Sequence, residues 1–164
     1  MKKSSILTFI LILFSVGVVY PCSCLNTRIK EGFKRSDLIF TGKVVDEKWE
    51  STTEKISGTD KTEEYKRVTY TFHITEFIKG TESIKEVKIT TSGMGESCGM
   101  TFNMGSEYLI YSYETEHRAT PNLYLISEKV KPFYTTDLCT RTNELKNIKP
   151  KELKKLKRLA KRKK

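Results

Sequence analysis

The chain has little of what most enzymes rely on. There is no His-Glu-x-x-His, no Cys-x-x-Cys and no Gly-x-Ser-x-Gly elbow, so the local signatures of a zinc hydrolase, a thiol redox centre and a serine hydrolase are all missing. The glycine-rich stretch Ser92-Gly93-Met94-Gly95-Glu96-Ser97 lacks the lysine and the glycine spacing of a phosphate cradle. There are only two histidines: His73 alternates within a strand pattern and His117 reads as part of a polar loop, so both read as structural or solvated. Nothing here points to an enzyme or calls for a cofactor. No apolar run reaches the roughly 20 residues that a membrane-spanning helix needs.

What is present begins with an export signal. Lys2 and Lys3 form a positive start, and Ile6 to Val19 form an apolar stretch of 14 residues without a charge. Residues 1–21 are therefore expected to be a cleaved signal peptide. Ser15-Val16-Gly17 offers the small residues that the peptidase prefers, which places one cut at 17/18; the other candidate, at 21/22, would make Cys22 the first residue. The mature protein is expected outside the cytoplasm, secreted or otherwise extracytoplasmic.

Four cysteines, Cys22, Cys24, Cys98 and Cys139, then read as disulfides, with three connectivities open. A Cys22–Cys24 ring would be very small and strained, so each of that pair is expected to reach one of the distant pair. Such bridges close loops of more than 70 residues, worth about 4 kcal/mol each in the chain-entropy model. Zinc sites prefer two to four residues between paired cysteines, and Cys22-Ser23-Cys24 has one, so no metal is expected to belong to the chain itself.

The formal net charge of +10 is concentrated at one end. Residues 146–164 hold eleven Lys or Arg and a single acid, Glu152, whereas residues 22–145 hold seventeen basic and nineteen acidic residues. A near-neutral globular part excludes a general nucleic-acid binder. The basic segment is expected to be a helical or disordered tail that attracts a polyanion, anionic lipid or polysaccharide, through Lys154, Lys155, Lys157, Arg158, Lys161 and Arg162. Leu153, Leu156, Leu159 and Ala160 form a narrow stripe at helical spacing within it, after Pro150 at a first turn.

Between signal and tail lies one domain, residues 22–145, of mainly β pattern. Asn26 or Thr27 is expected to cap a short helix through about Arg35, with Ile29 and Phe33 on one face. Leu38 to Val45 reads as a buried strand with a bulge or bend at Gly42. Asp46 to Glu64 reads as a long loop or irregular hairpin. Val68, Tyr70, Phe72, Ile74 and Phe77 alternate toward a core, with further strands at Val87 and Ile89, at Tyr108 to Tyr113, and last at Leu123 to Ile126. Five strands with one short helix favour a closed barrel or a sandwich, with tyrosines 108, 111, 113 and 124 as packing residues.

The order of Cys22-Ser23-Cys24, Glu96-Ser97-Cys98-Gly99, Phe102, Gly105, Glu107-Tyr108-Leu109-Ile110 and Cys139 resembles the netrin-like family, in particular the N-terminal domain of the tissue inhibitors of metalloproteinases. That resemblance implies a five-stranded Greek-key barrel of the OB type, with Cys22 paired to Cys98 and Cys24 to Cys139. It also implies a mechanism in which the α-amine and carbonyl of Cys22 chelate the zinc of a partner protease, Ser23 enters its specificity pocket, and Cys24, Glu96 and Ser97 complete the contact ridge. The chain departs from the pattern by lacking a third cysteine pair and by carrying Leu25-Asn26 where a small polar residue and proline are usual. If Val18 to Pro21 stays attached, the Cys22 nitrogen is an amide, a poor zinc ligand. Two functions follow: an exported protein-binding module with a polyanion-attracting tail, or an inhibitor of a zinc metalloprotease. In both, the partner is an extracellular or envelope protein.

Overall fold

The computed structural model describes residues 24, 27–55, 60, 62–80, 84–92, 98–118 and 128–162. Its elements run in the order α1 (Ile29–Arg35), β1 (Leu38–Lys55), β2 (Thr62–Lys79), β3 (Glu86–Ser92), β4 (Glu107–Arg118), β5 (Glu128–Thr135), β6 (Asn143–Glu144), a 3-10 turn (Leu145–Asn147) and α2 (Pro150–Lys161).

The sheet closes on itself. Neighbours run β1-β2-β3-β5-β4-β6, and β1 also pairs with β4, so five strands form a ring with β6 appended to β4. Only β3 and β5 are parallel, through Ile89↔Tyr134 and Thr90↔Thr135; the other pairs are antiparallel. This is a mainly β barrel of the OB type, and closure removes most of the exposed sheet edge. The register of β1 against β2 shifts at Thr41/Gly42, where a Cβ on Gly42 would fall 2.8 Å from the carbonyl oxygen of His73. Glycine is thus required for the strands to approach at the bend.

The hydrophobic residues of β1 and β4 point both ways. Leu38, Phe40, Val68, Tyr70, Phe72, Ile89, Phe102, Tyr108 and Ile110 fill the barrel, where Phe102 meets Tyr70, Phe72 and Tyr108 edge-on at centroid distances of 5.0, 5.1 and 4.9 Å. Ile39, Ile78, Leu109 and Tyr111 point outward and form a second cluster with Phe33 of α1 and Leu156 of α2. Ile74 and Phe77 are partly buried at the barrel's margin.

Two expectations change, a third is narrowed, and a fourth lies outside the described residues. Helix α1 starts after Arg28, whose amide donates to Glu31 Oε2 at 3.3 Å, rather than after Asn26 or Thr27. Of the long loop or irregular hairpin expected at Asp46 to Glu64, the described residues form the hairpin: β1 and β2 stay paired out to Lys55↔Thr62. Both faces of this ribbon meet water, so it has no apolar alternation to betray it, and Trp49 is half exposed. His117 lies within β4 rather than in a loop. The expected strand Leu123 to Ile126 lies outside the described residues; the described β5 starts at Glu128 and tolerates Pro132 where its register against β4 shifts.

The basic segment is not a free extension. It forms α2, with Pro150 in its first turn, and its stripe of Leu153, Leu156, Leu159 and Ala160 packs on the second cluster with Leu156 fully buried. Burying a leucine is worth about 1.5–3 kcal/mol, which outweighs repulsion between solvated lysines. Among the described residues no helix is long and apolar enough to cross a membrane.

Candidate functional site

The three described cysteines converge at one end of the barrel. Cys24 is exposed, and it is bridged to Cys139 across 115 positions of sequence. Cys139 sits in a turn built by Asp137, whose Oδ1 accepts the amides of Cys139 (2.8 Å) and Thr140 (3.1 Å). The other carboxylate oxygen accepts the Tyr113 hydroxyl of β4 at 3.1 Å, which fixes the turn to the barrel. Burial, then the charge of Asp137, pushes the Tyr113 hydroxyl up to about 12. Between them, Leu138 donates its amide to the carbonyl of Cys98 at 3.0 Å and leaves its side chain 54% exposed. Cys98 has a left-handed φ of 59° and is itself disulfide-bonded. One backbone hydrogen bond therefore joins the two cysteine turns, with a leucine at their junction.

Beside this edge lies an open cavity of about 770 Å³ lined by Cys24, Met100, Leu138, Cys139, Asn143 and Lys149, among others. Arg141, Glu152 and Thr27, which also line it, belong to a polar network. Arg141 donates from Nε to Glu152 Oε1 (2.8 Å), from one terminal nitrogen to Oε2 (2.5 Å), and from the other to the carbonyl of Thr27 (2.6 Å). Tyr111 donates its hydroxyl to Glu152 Oε1 at 2.8 Å. Burial, then the bond to Glu152, raises the Tyr111 hydroxyl far above its usual range, and the same carboxylate raises the Arg141 guanidinium. Thr136 and Thr142 donate their hydroxyls to the Tyr111 carbonyl, and Thr142 Oγ1 also accepts the Tyr111 amide, so the segment 136–142 is sewn to β4.

The sequence-predicted residues thus fall into three groups. Cys24, Cys98 and Cys139 come together at the edge. Cys22, Ser23, Glu96 and Ser97 lie outside the described residues, and so does half of the expected Cys22–Cys98 bridge. Lys154, Lys155, Arg158, Lys161 and Arg162 are exposed on α2, while Lys157 turns to Glu76 of β2 at 2.7 Å. Sequence reasoning missed Leu138, Arg141 and Asp137. It noted Glu152 only as the lone acid among eleven bases, and that isolation was a readable sign of a specific partner. Among the described residues no group of three or more His, Cys, Asp or Glu could hold a metal.

A ring of five strands in this order, stapled by a disulfide from the N-terminal segment to the turn after β5, defines a netrin-like module. A family model described as tissue inhibitor of metalloproteinase matches residues 20–143, and the chain belongs to that family. The match spans the barrel and all four cysteines and ends before α2. No curated protein matches the chain.

Proposed function

We propose that this chain is exported and inhibits a zinc metalloproteinase with the edge that carries its cysteines. In this reading residues 1–21 are removed and Cys22 pairs with Cys98, because Cys24 and Cys139 already hold each other and the chain has four cysteines. The new α-amine and the carbonyl of Cys22 then occupy the open position of the protease's zinc, where a water would otherwise be activated. Ser23 enters the specificity pocket, and Glu96 and Ser97 flank it. The chain needs no metal of its own, since the zinc is the partner's.

The observation that supports this best is the anchoring of the N-terminal segment. The disulfide at Cys24 and the Arg141 bond to Thr27 restrain the chain on both sides of Leu25 and Asn26. A chelating end held in place loses less entropy on binding than a free one. The helix α2 adds a charged face that localises the protein on a polyanion.

A second reading rests on Ser15-Val16-Gly17, the best match to a peptidase site. A cut there leaves Val18 to Pro21 on the Cys22 nitrogen, and the same edge then serves as a protein-binding module without zinc chelation. N-terminal sequencing and intact mass of the exported protein decide between them. A start at Cys22 supports the inhibitor; a start at Val18 removes it in favour of the binding module.

A further inference from the structure

The exposed face of α2 carries Lys151, Lys154, Lys155, Arg158, Lys161 and Arg162, and its one acid, Glu152, is turned inward onto Arg141 and Tyr111. Among the described residues none of the six makes an ion pair; Lys157, the helix's paired cation, is spent on Glu76. Helix α1 packs beside α2 and adds exposed Lys30 and Lys34. The result is a rigid cationic strip held on a barrel whose own charges, over residues 22–145, are slightly negative in balance.

We propose that this strip binds a linear polysaccharide bearing sulfate or carboxylate groups. Cations three and four residues apart recur about every 5 Å along one side of a helix, and twelve residues extend that row over roughly 18 Å. A linear polyanion laid along the axis meets one cation per turn while touching little of the barrel. A bilayer fits less well. Insertion of an amphipathic helix needs its apolar stripe, and here Leu156 is fully buried with Leu153, Leu159 and Ala160 packed around it. The proposal deepens the tail's part of the function given above and is independent of the zinc chemistry, because α2, which carries most of the strip, lies beyond the residues matched by the family model.

The test uses the full exported protein on immobilised heparin and, separately, on phosphatidylcholine vesicles containing 30% phosphatidylserine. Lys154→Gln with Arg158→Gln removes two exposed cations without touching the buried stripe, and is expected to weaken heparin binding roughly thirtyfold at physiological salt. Lys30→Gln with Lys34→Gln is expected to weaken it further when combined. Equal salt for elution of the wild type and the α2 variant overturns the proposal, and so does a wild type that partitions to vesicles but passes through heparin. Protease inhibition measured on the same variants stays unchanged, so failure of either reading is seen separately.

Discussion

Arg141 grips both oxygens of Glu152 and, with its remaining terminal nitrogen, the carbonyl of Thr27, so a single guanidinium ties the C-terminal helix to the N-terminal segment beside the Cys24–Cys139 bridge. Glu152 is nearly buried and Arg141 mostly so. The lone acid of the basic segment thus docks the helix, and the helix in turn completes the support of the edge that carries the cysteines.

Removing one partner leaves the other charge buried without compensation. Arg141→Ala is expected to cost about 3 kcal/mol in urea denaturation, the lower end for a broken buried pair because the arginine keeps some contact with water. Replacing both, Arg141→Met with Glu152→Leu, is expected to cost less than the single change. A double variant as unstable as the single one would contradict the assignment.

Leu156→Ala tests whether α2 belongs to the fold. The side chain is fully buried against Phe33, Ile39, Ile78 and Leu109, so its loss is expected to destabilise the protein by about 2–5 kcal/mol. Leu138→Ala, at an exposed position, is expected to change stability by less than about 0.5 kcal/mol. A Leu156 variant as stable as the wild type would mean that the helix is dispensable.

Stability at alkaline pH follows from two hydroxyls. Tyr113 is pushed up to about 12 by burial and by Asp137, and Tyr111 is raised by burial and by Glu152. A group whose folded value lies above its unfolded one contributes stability that is fully present below the unfolded value, near 10, and lost as pH rises through the folded value. The unfolding free energy is therefore expected to be insensitive to these groups below about pH 10 and to fall between about pH 10 and 12. Tyr113→Phe should flatten part of that fall in denaturation curves taken across the range.

Serine at both Cys24 and Cys139 opens a loop of 115 positions, and the loss is expected to reach about 4–5 kcal/mol. Thermal unfolding with the remaining cysteines oxidised measures it. A loss under about 1 kcal/mol would mean that the edge is held without the bridge.

The barrel was legible where burial is one-sided, and the alternation of Val68, Tyr70 and Phe72 marks it plainly. The runs Leu38-Ile39-Phe40 and Tyr108-Leu109-Ile110-Tyr111 carry a further message. Their unbroken hydrophobicity reflects burial on two faces, one in the barrel and one under the helices, and this is the surface that receives the leucine stripe of α2. The stripe could be seen in sequence; its acceptor could not, because it is assembled from three strands and α1. The polar ribbon of β1 and β2 could be read only as a loop or an irregular hairpin for the opposite reason, since water on both sides imposes no pattern. At the edge, the cysteines were obvious. Asp137, Leu138 and Arg141 were not, because their roles depend on the turn after β5 meeting Tyr113, Cys98 and Glu152 in space.

The most direct test of the inhibitory reading is the potency of the exported protein against a zinc metalloproteinase, compared with a form carrying one added alanine before Cys22. The amine is a zinc ligand and its amide is a poor one, so the extended form is expected to lose at least a hundredfold in inhibition, about 2.7 kcal/mol. Equal potency of the two forms would contradict chelation by the Cys22 amine.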